Sequence, residues 1–197
     1  MFAVPNDIPK LTPVEYFAWE EQQLERHEYI NGEVYAMSGG TRNHSRISLK
    51  FGALLDNHLS NRSCEVFNSD CRVKIFETND YTYPDVSVSC DPRDRTTNQY
   101  ITYPCIIVEV LSDSTEAYDR GKKFFRYRQN PQLQDYVLVS SQEIAIDLYR
   151  KTENGRWEII SYRSGDIVEL QSINLRFPIE QVYRGIDFVE DTIESNL

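Results

Sequence analysis

The sequence lacks most of what a secreted, membrane-bound or disordered chain would display. No apolar run approaches the eighteen residues of a membrane span. The start, Met1-Phe2-Ala3-Val4-Pro5-Asn6-Asp7, has no basic region, apolar stretch or small-residue cleavage site of a secretory signal. A soluble, cytoplasmic protein without membrane partners is expected. Cysteine is scarce: Cys64, Cys71, Cys90 and Cys105 are too few for a disulfide scaffold in 197 residues, and no pair has the two-residue spacing of a zinc knuckle or redox motif. Free thiols are the expectation. Cations are also in deficit, with 21 Lys and Arg against 31 Asp and Glu, a net charge of −10 that argues against a chain-wide nucleic-acid surface. An anionic partner must meet a local patch. No phosphate loop, dinucleotide glycine fingerprint or Gly-x-Ser-x-Gly elbow occurs, so nucleotide cofactors and serine hydrolysis have no support.

What is present suits one compact domain over residues 1–197, since 40% of the chain is apolar and no repeat, low-complexity tract or linker divides it. An acidic end begins near residue 187, with Asp187, Glu190, Asp191 and Glu194. Thr12-Pro13-Val14-Glu15 reads as the start of a helix running to His27. Asn31-Gly32, between Tyr29-Ile30 and Glu33-Val34-Tyr35, signals a hairpin. Ile47, Phe51, Leu54 and Leu55 recur at helical spacing, which predicts a second helix from about Asn43 to Leu59. Strands are predicted at 72–76, 85–88 and 105–111, the last nearly continuous apolar sequence and therefore central. Asp113 with Glu116 opens a third helix that Asn130-Pro131 stops, Tyr136–Val139 returns as a strand, and the segments around Ile144–Leu148 and Trp157–Tyr162 form a C-terminal β meander. The fold class is α/β: a mixed central sheet flanked by helices, with an N-terminal helix and hairpin and a C-terminal meander.

Three polar residues stand where the pattern asks for something else. Asp85 opens a strand after Pro84, Glu109 interrupts the apolar run Ile106–Leu111, and Lys123 lies four residues after Asp119 and four before Tyr127 in the third helix. An isolated carboxylate in a buried strand costs several kcal/mol unless it is paired or bound to a cation. One explanation for Glu109 is a structural ion pair with Lys123 or an arginine. The other is that Asp85 and Glu109 lie at the same end of adjacent strands and hold Mg²⁺, a hard cation with oxygen ligands, while a lysine orients the attacking water or stabilises charge on a phosphorane. Arg120, Lys122, Lys123, Arg126 and Arg128 form a candidate phosphate-binding edge, and His44 at a helix start could touch a phosphate.

Asp85 after Pro84, with Glu109 twenty-four residues later on an apolar strand, resembles the PD-(D/E)XK nuclease superfamily. Glu28-Tyr29-Ile30-Asn31-Gly32-Glu33-Val34-Tyr35, Tyr83-Pro84-Asp85-Val86-Ser87-Val88, Val108-Glu109-Val110-Leu111-Ser112 and Asp119-Arg120-Gly121-Lys122-Lys123 resemble more closely the Uma-two family of restriction endonucleases, over about Thr12 to Arg150. The resemblance implies a restriction-endonuclease-like fold and Mg²⁺- or Mn²⁺-dependent hydrolysis of DNA phosphodiesters. It implies Asp85 and Glu109 as catalytic metal ligands, Lys123 as the catalytic lysine, and an accessory acid at Glu33, or at Glu28 instead. Nucleic-acid contacts fall to Arg120, Lys122, Arg126 and His44, and a homodimer is implied. One position departs from the superfamily pattern: the lysine expected two residues after the strand glutamate is Leu111 here, its role moved to the following helix, where Lys123 fits better than Lys122. The rival expectation is a non-catalytic DNA- or protein-binding module on the same fold.

Overall fold

The computed structural model describes residues 2–3, 10–37 and 39–188. Glu190, Asp191 and Glu194 of the acidic end lie outside the described residues, as does most of the N-terminal stretch. Strand β1 (Phe2–Ala3) precedes helix α1 (Pro13–Glu20). Thr12 and Glu15 close a reciprocal cap: Thr12 Oγ1 accepts from the Glu15 N–H at 3.3 Å, and Glu15 Oε2 accepts from the Thr12 N–H at 2.7 Å. The helix stops at Glu20 instead of continuing to His27, because the buried Glu20 carboxylate turns back to accept the His27 N–H at 2.9 Å. Leu24, inside the span expected to be helical, is fully exposed. Strands β2 (His27–Ile30) and β3 (Glu33–Ala36) flank Asn31 and Gly32, whose φ values of 54° and 85° are the left-handed pair that Asn-Gly suits.

Helix α2 (Arg42–Leu59) starts at a Thr41 cap and buries Ile47, Phe51, Leu55 and Leu59. Then come β4 (Glu65–Asn68), β5 (Arg72–Lys74), β6 (Tyr81–Thr82), β7 (Val86–Ser89), β8 (Tyr100–Ile101) and β9 (Pro104–Leu111). One helical run joins α3 (Glu116–Tyr118), a π-helical turn (Asp119–Lys123) and α4 (Phe124–Tyr127). The chain continues as β10 (Asp135–Ser140), β11 (Ala145–Lys151), β12 (Trp157–Arg163), β13 (Ile167–Leu170), β14 (Leu175–Pro178) and α5 (Glu180–Tyr183).

The class is mixed α/β as expected, but the strands divide between two six-stranded sheets. One runs β12-β11-β10-β9-β7-β4, with β9 and β10 parallel and the other pairs antiparallel, and the other runs β1-β3-β2-β6-β5-β8. The hairpin β13–β14 and α5 were not expected from the sequence. Both pack with α2 on one face of the first sheet, around Ile47, Phe51, Val108, Val110, Val139 and Phe177. The opposite face buries Ile107, Leu111, Tyr136 and Leu138 under Tyr127 of the helical run. Alternation along β9 therefore sends Val108 and Val110 to α2, and Ile107, Glu109 and Leu111 to the helical run. Leu111, two residues after Glu109, occupies core there at 5% exposure, and the lysine beside Glu109 comes instead from the facing helical run.

The expectation of free thiols fails for one pair. Cys64 and Cys90 are joined by a disulfide, since the antiparallel register Glu65↔Ser89 places them opposite each other across β4 and β7, whereas Cys71 and Cys105 are free. No helix among the described residues is long and apolar enough to cross a membrane.

Candidate active site

Asp85, directly before β7, lies across from the C-terminal half of β9, and its Oδ2 accepts the Val110 N–H at 2.7 Å. This tie sets Asp85 at the same strand end as Glu109. From the helix side, Lys123 Nζ stands 2.9 Å from Glu109 Oε1, 3.1 Å from Glu28 Oε1 on β2, and 3.8 Å from Asp119 Oδ1. A π-helical turn spans Asp119 to Lys123 and carries both side chains inward, a local distortion that recurs at functional sites. His44, in the first turn of α2, brings Nε2 to 3.2 Å from Asp85 Oδ2. These side chains, with Tyr83, line a cavity of about 100 Å³.

The cavity wall holds four carboxylates, Glu28, Asp85, Glu109 and Asp119, against one lysine and one histidine. Glu28, Glu109, Asp119 and Lys123 are all buried. Burial pushes the Glu109 carboxyl well above its ordinary range, Lys123 pulls it back, and Asp119 and Asp85 add repulsion. Asp119 is raised for the same first reason, with Lys123 opposing. Burial works against the Lys123 charge, but Glu109 and Glu28 outweigh it and hold the ammonium well above the usual lysine range. The His44 ring titrates above its ordinary value, because the Asp85 carboxylate overcomes the effect of burial. Acid outnumbers base, so a further cation would be welcome. Among the described residues, Glu28 Oε2 is buried without a hydrogen-bond partner, and Glu109 Oε1 meets only the ammonium beside it. Among the described residues no three His, Cys, Asp or Glu side chains already converge as a metal cage. The donor set is two carboxylates beside a cavity, which suits Mg²⁺ or Mn²⁺, since the smaller ion keeps several waters and takes one or two protein carboxylates.

The other expected residues are not in this cluster. Glu33 is half exposed, paired with Lys10 at 3.4 Å and accepting from the Tyr35 hydroxyl at 2.6 Å; the acid beside Lys123 is Glu28. Lys122 points to solvent, one residue off the face that carries Lys123. Arg126 donates to the Tyr118 hydroxyl at 3.3 Å and remains partly exposed. Arg120 is held by Glu116 at 2.7 Å and Asp147 at 2.8 Å, so its donors are committed within the protein. Asp147 resists ionisation through burial, but Ser161 and Arg120 outweigh this and hold its carboxyl below the ordinary range. Replacing Arg120 with alanine should therefore lower stability by about 0.5–1 kcal/mol at pH 7. A depressed carboxyl stabilises above the unfolded value of about 3.9 and loses that contribution as pH falls through the lower folded value, so the deficit in chemical denaturation should shrink as pH drops below about 3.9 and be smallest at the lowest pH at which the protein stays folded. An unchanged deficit at that pH would mean that the arginine acts by packing.

A family model described as "Putative restriction endonuclease", Uma2, matches residues 13–180. An "Uncharacterized protein" of Synechocystis sp. is 56% identical over 181 residues, which span 92% of this chain and 95% of that protein. A second from the same organism is 35% identical over 163 residues, 82% of this chain and 92% of its own. Among solved structures, "a putative nuclease belonging to DUF820" from Anabaena variabilis matches with a TM-score of 0.72, covering 88% of this chain and 97% of its own. At 19% identity that likeness concerns the fold, which is restriction-endonuclease-like.

Proposed function

The chain belongs to the Uma2 restriction endonuclease family, and we propose that it is a Mg²⁺- or Mn²⁺-dependent endonuclease that hydrolyses DNA phosphodiester bonds. The observation that carries this reading is the surplus of carboxylate, most of it buried, lining an open cavity around Asp85 and Glu109, next to a lysine. Asp85 and Glu109 would hold the ion, which when bound supplies Lewis acidity to the phosphoryl oxygen and a more acidic water. Lys123 donates toward the phosphoryl oxygens, where negative charge grows in the transition state, and its ammonium stays protonated because Glu28 and Glu109 favour the charged form. Glu28 on β2 holds Lys123 at 3.1 Å, so in this reading Glu28, and not Glu33, takes the accessory acidic role. Lys122 and Arg126 on the outer face of the helical run supply cations for the phosphate backbone, and DNA would lie along that edge.

The rival reading is a binding module in which Lys123 merely neutralises buried acids, and the contacts at 2.9 and 3.1 Å favour it to the extent that they are already closed. Divalent ions separate the two. An ion at a hundred times its Kd stabilises a folded site by about 2.7 kcal/mol, several degrees in Tm for a chain of this size. A thermal melt in Mg²⁺ or Mn²⁺ should show that rise in wild type and none in Asp85→Asn. An equal melt with and without ions in wild-type protein would favour the binding module.

A further inference from the structure

Asp85 has two carboxylate oxygens, and two donors converge on one of them. The Val110 N–H reaches Oδ2 at 2.7 Å, and His44 Nε2 reaches the same atom at 3.2 Å. No donor to Oδ1 is found among the described residues. The backbone donor is fixed by the β7–β9 pairing, whereas the imidazole must be placed by its own surroundings. Two features place it. Thr41 caps α2 and accepts the His44 N–H at 3.2 Å, which sets the first turn of an 18-residue helix anchored by Ile47 and Phe51. The ring also lies against the backbone of Gly40, where an added Cβ would stand 2.6 Å from His44 Nδ1, 2.8 Å from Cγ and 3.2 Å from Cβ. Gly40 is not at a positive φ, so it is required there for space and not for backbone freedom. At Gly39, one residue earlier, an added Cβ meets nothing within 4 Å.

We infer that Gly40 and His44 form a positioning pair that turns Asp85 so that Oδ2 is occupied by protein donors and Oδ1 alone is offered to the divalent cation, an inference that rests on the reading of Asp85 as a metal ligand. His44 touches neither the ion nor the phosphate in this role. It acts through the carboxylate, as groups that orient a metal ligand do, and their loss characteristically weakens metal affinity tenfold to a hundredfold. Gly40 acts at one further remove: a methyl group at that position would displace the ring from Asp85.

Calorimetric titration of the full chain with Mn²⁺ tests the pair. His44→Ala and Gly40→Ala should each weaken Mn²⁺ binding about tenfold to a hundredfold. His44→Gln, whose side-chain N–H can take the place of Nε2, should keep most of the affinity, and Gly39→Ala should keep all of it. The Gly40→Ala/His44→Ala double variant should bind no more weakly than His44→Ala, because the clash at position 40 is with the ring itself and disappears when the ring is gone. If either residue acted other than through the contact of the ring with Asp85, the two losses would add or glutamine would give no rescue. Wild-type affinity in His44→Ala, or fully additive losses, overturns the pair while leaving the metal site standing. Wild-type protein that binds no Mn²⁺ overturns the metal reading and the pair together.

Discussion

Lys123→Ala should slow phosphodiester cleavage under single-turnover conditions by about 10²–10⁴-fold while leaving the divalent ion bound. The direction follows from where Nζ lies: it is the cation that touches Glu109, Glu28 and Asp119 at once, and it faces the same cavity as Asp85. Removing it takes away charge at the place where phosphoryl oxygens would sit but leaves both proposed ligands in place. It also removes a cation that competes with the metal for Glu109, so ion affinity should be equal to or greater than that of wild type. In metal-free buffer the variant should lose about 3–5 kcal/mol of stability, the effect of stripping a buried charge of its partner, and Mg²⁺ should restore part of it. Lys122→Ala, one residue away and exposed, should weaken DNA binding and its salt dependence but cleave at close to the wild-type rate once DNA is saturating. A Lys123→Ala protein that cleaves at the wild-type rate would remove Lys123 from the mechanism, and parallel loss of metal binding would make it a structural residue.

Which parts of the site could be read from the sequence depended on whether a residue's neighbours were local. Asp85 and Glu109 were legible because each is a charge set in apolar β sequence, which needs a partner wherever the strands end up. Lys123 could be preferred over Lys122 because its i and i+4 neighbours, Asp119 and Tyr127, define one helical face, although the π-helical turn that deepens this face leaves no mark in the periodicity. Glu28 and Glu33 show the limit. They flank one hairpin, and alternation alone cannot tell a strand covered on both faces from one covered on a single face. Strand β2 is buried at all four positions, so Glu28 turns into the cavity, while Glu33 at the turn faces solvent. Arg120 was read as a phosphate contact from charge density alone. Its i, i−4 partner Glu116 was visible in the sequence, but Asp147, 27 residues away on β11, was not. The Cys64–Cys90 bond, spanning 26 residues, depends on the register of β4, a strand that the pattern did not reveal. Gly40 offered no local signal, since its neighbour is a ring four residues later that a helix turn brings back.

If the proposed hydrolysis of DNA runs at Asp85 and Glu109, changing either to its amide should cost at least about 10³-fold in cleavage, since the variant loses the charge that holds a hard cation. Shape is preserved. An asparagine oxygen at position 85 still accepts the Val110 N–H, and glutamine at position 109 removes a carboxylate that burial already disfavours as an anion. Glu109→Gln leaves the buried Lys123 with Glu28 and Asp119 as partners, so in metal-free buffer it should cost less stability than Lys123→Ala, and chemical denaturation of each variant separates lost chemistry from lost fold. The most direct measurement is single-turnover cleavage of plasmid, linear and branched DNA in Mg²⁺ and in Mn²⁺ by wild-type protein, Asp85→Asn and Glu109→Gln side by side. Cut product is expected from wild type only with a divalent ion present, and essentially none from either variant. Cleavage by both variants at the wild-type rate, or none by well-folded wild-type protein on any of these substrates in either ion, would contradict the proposal.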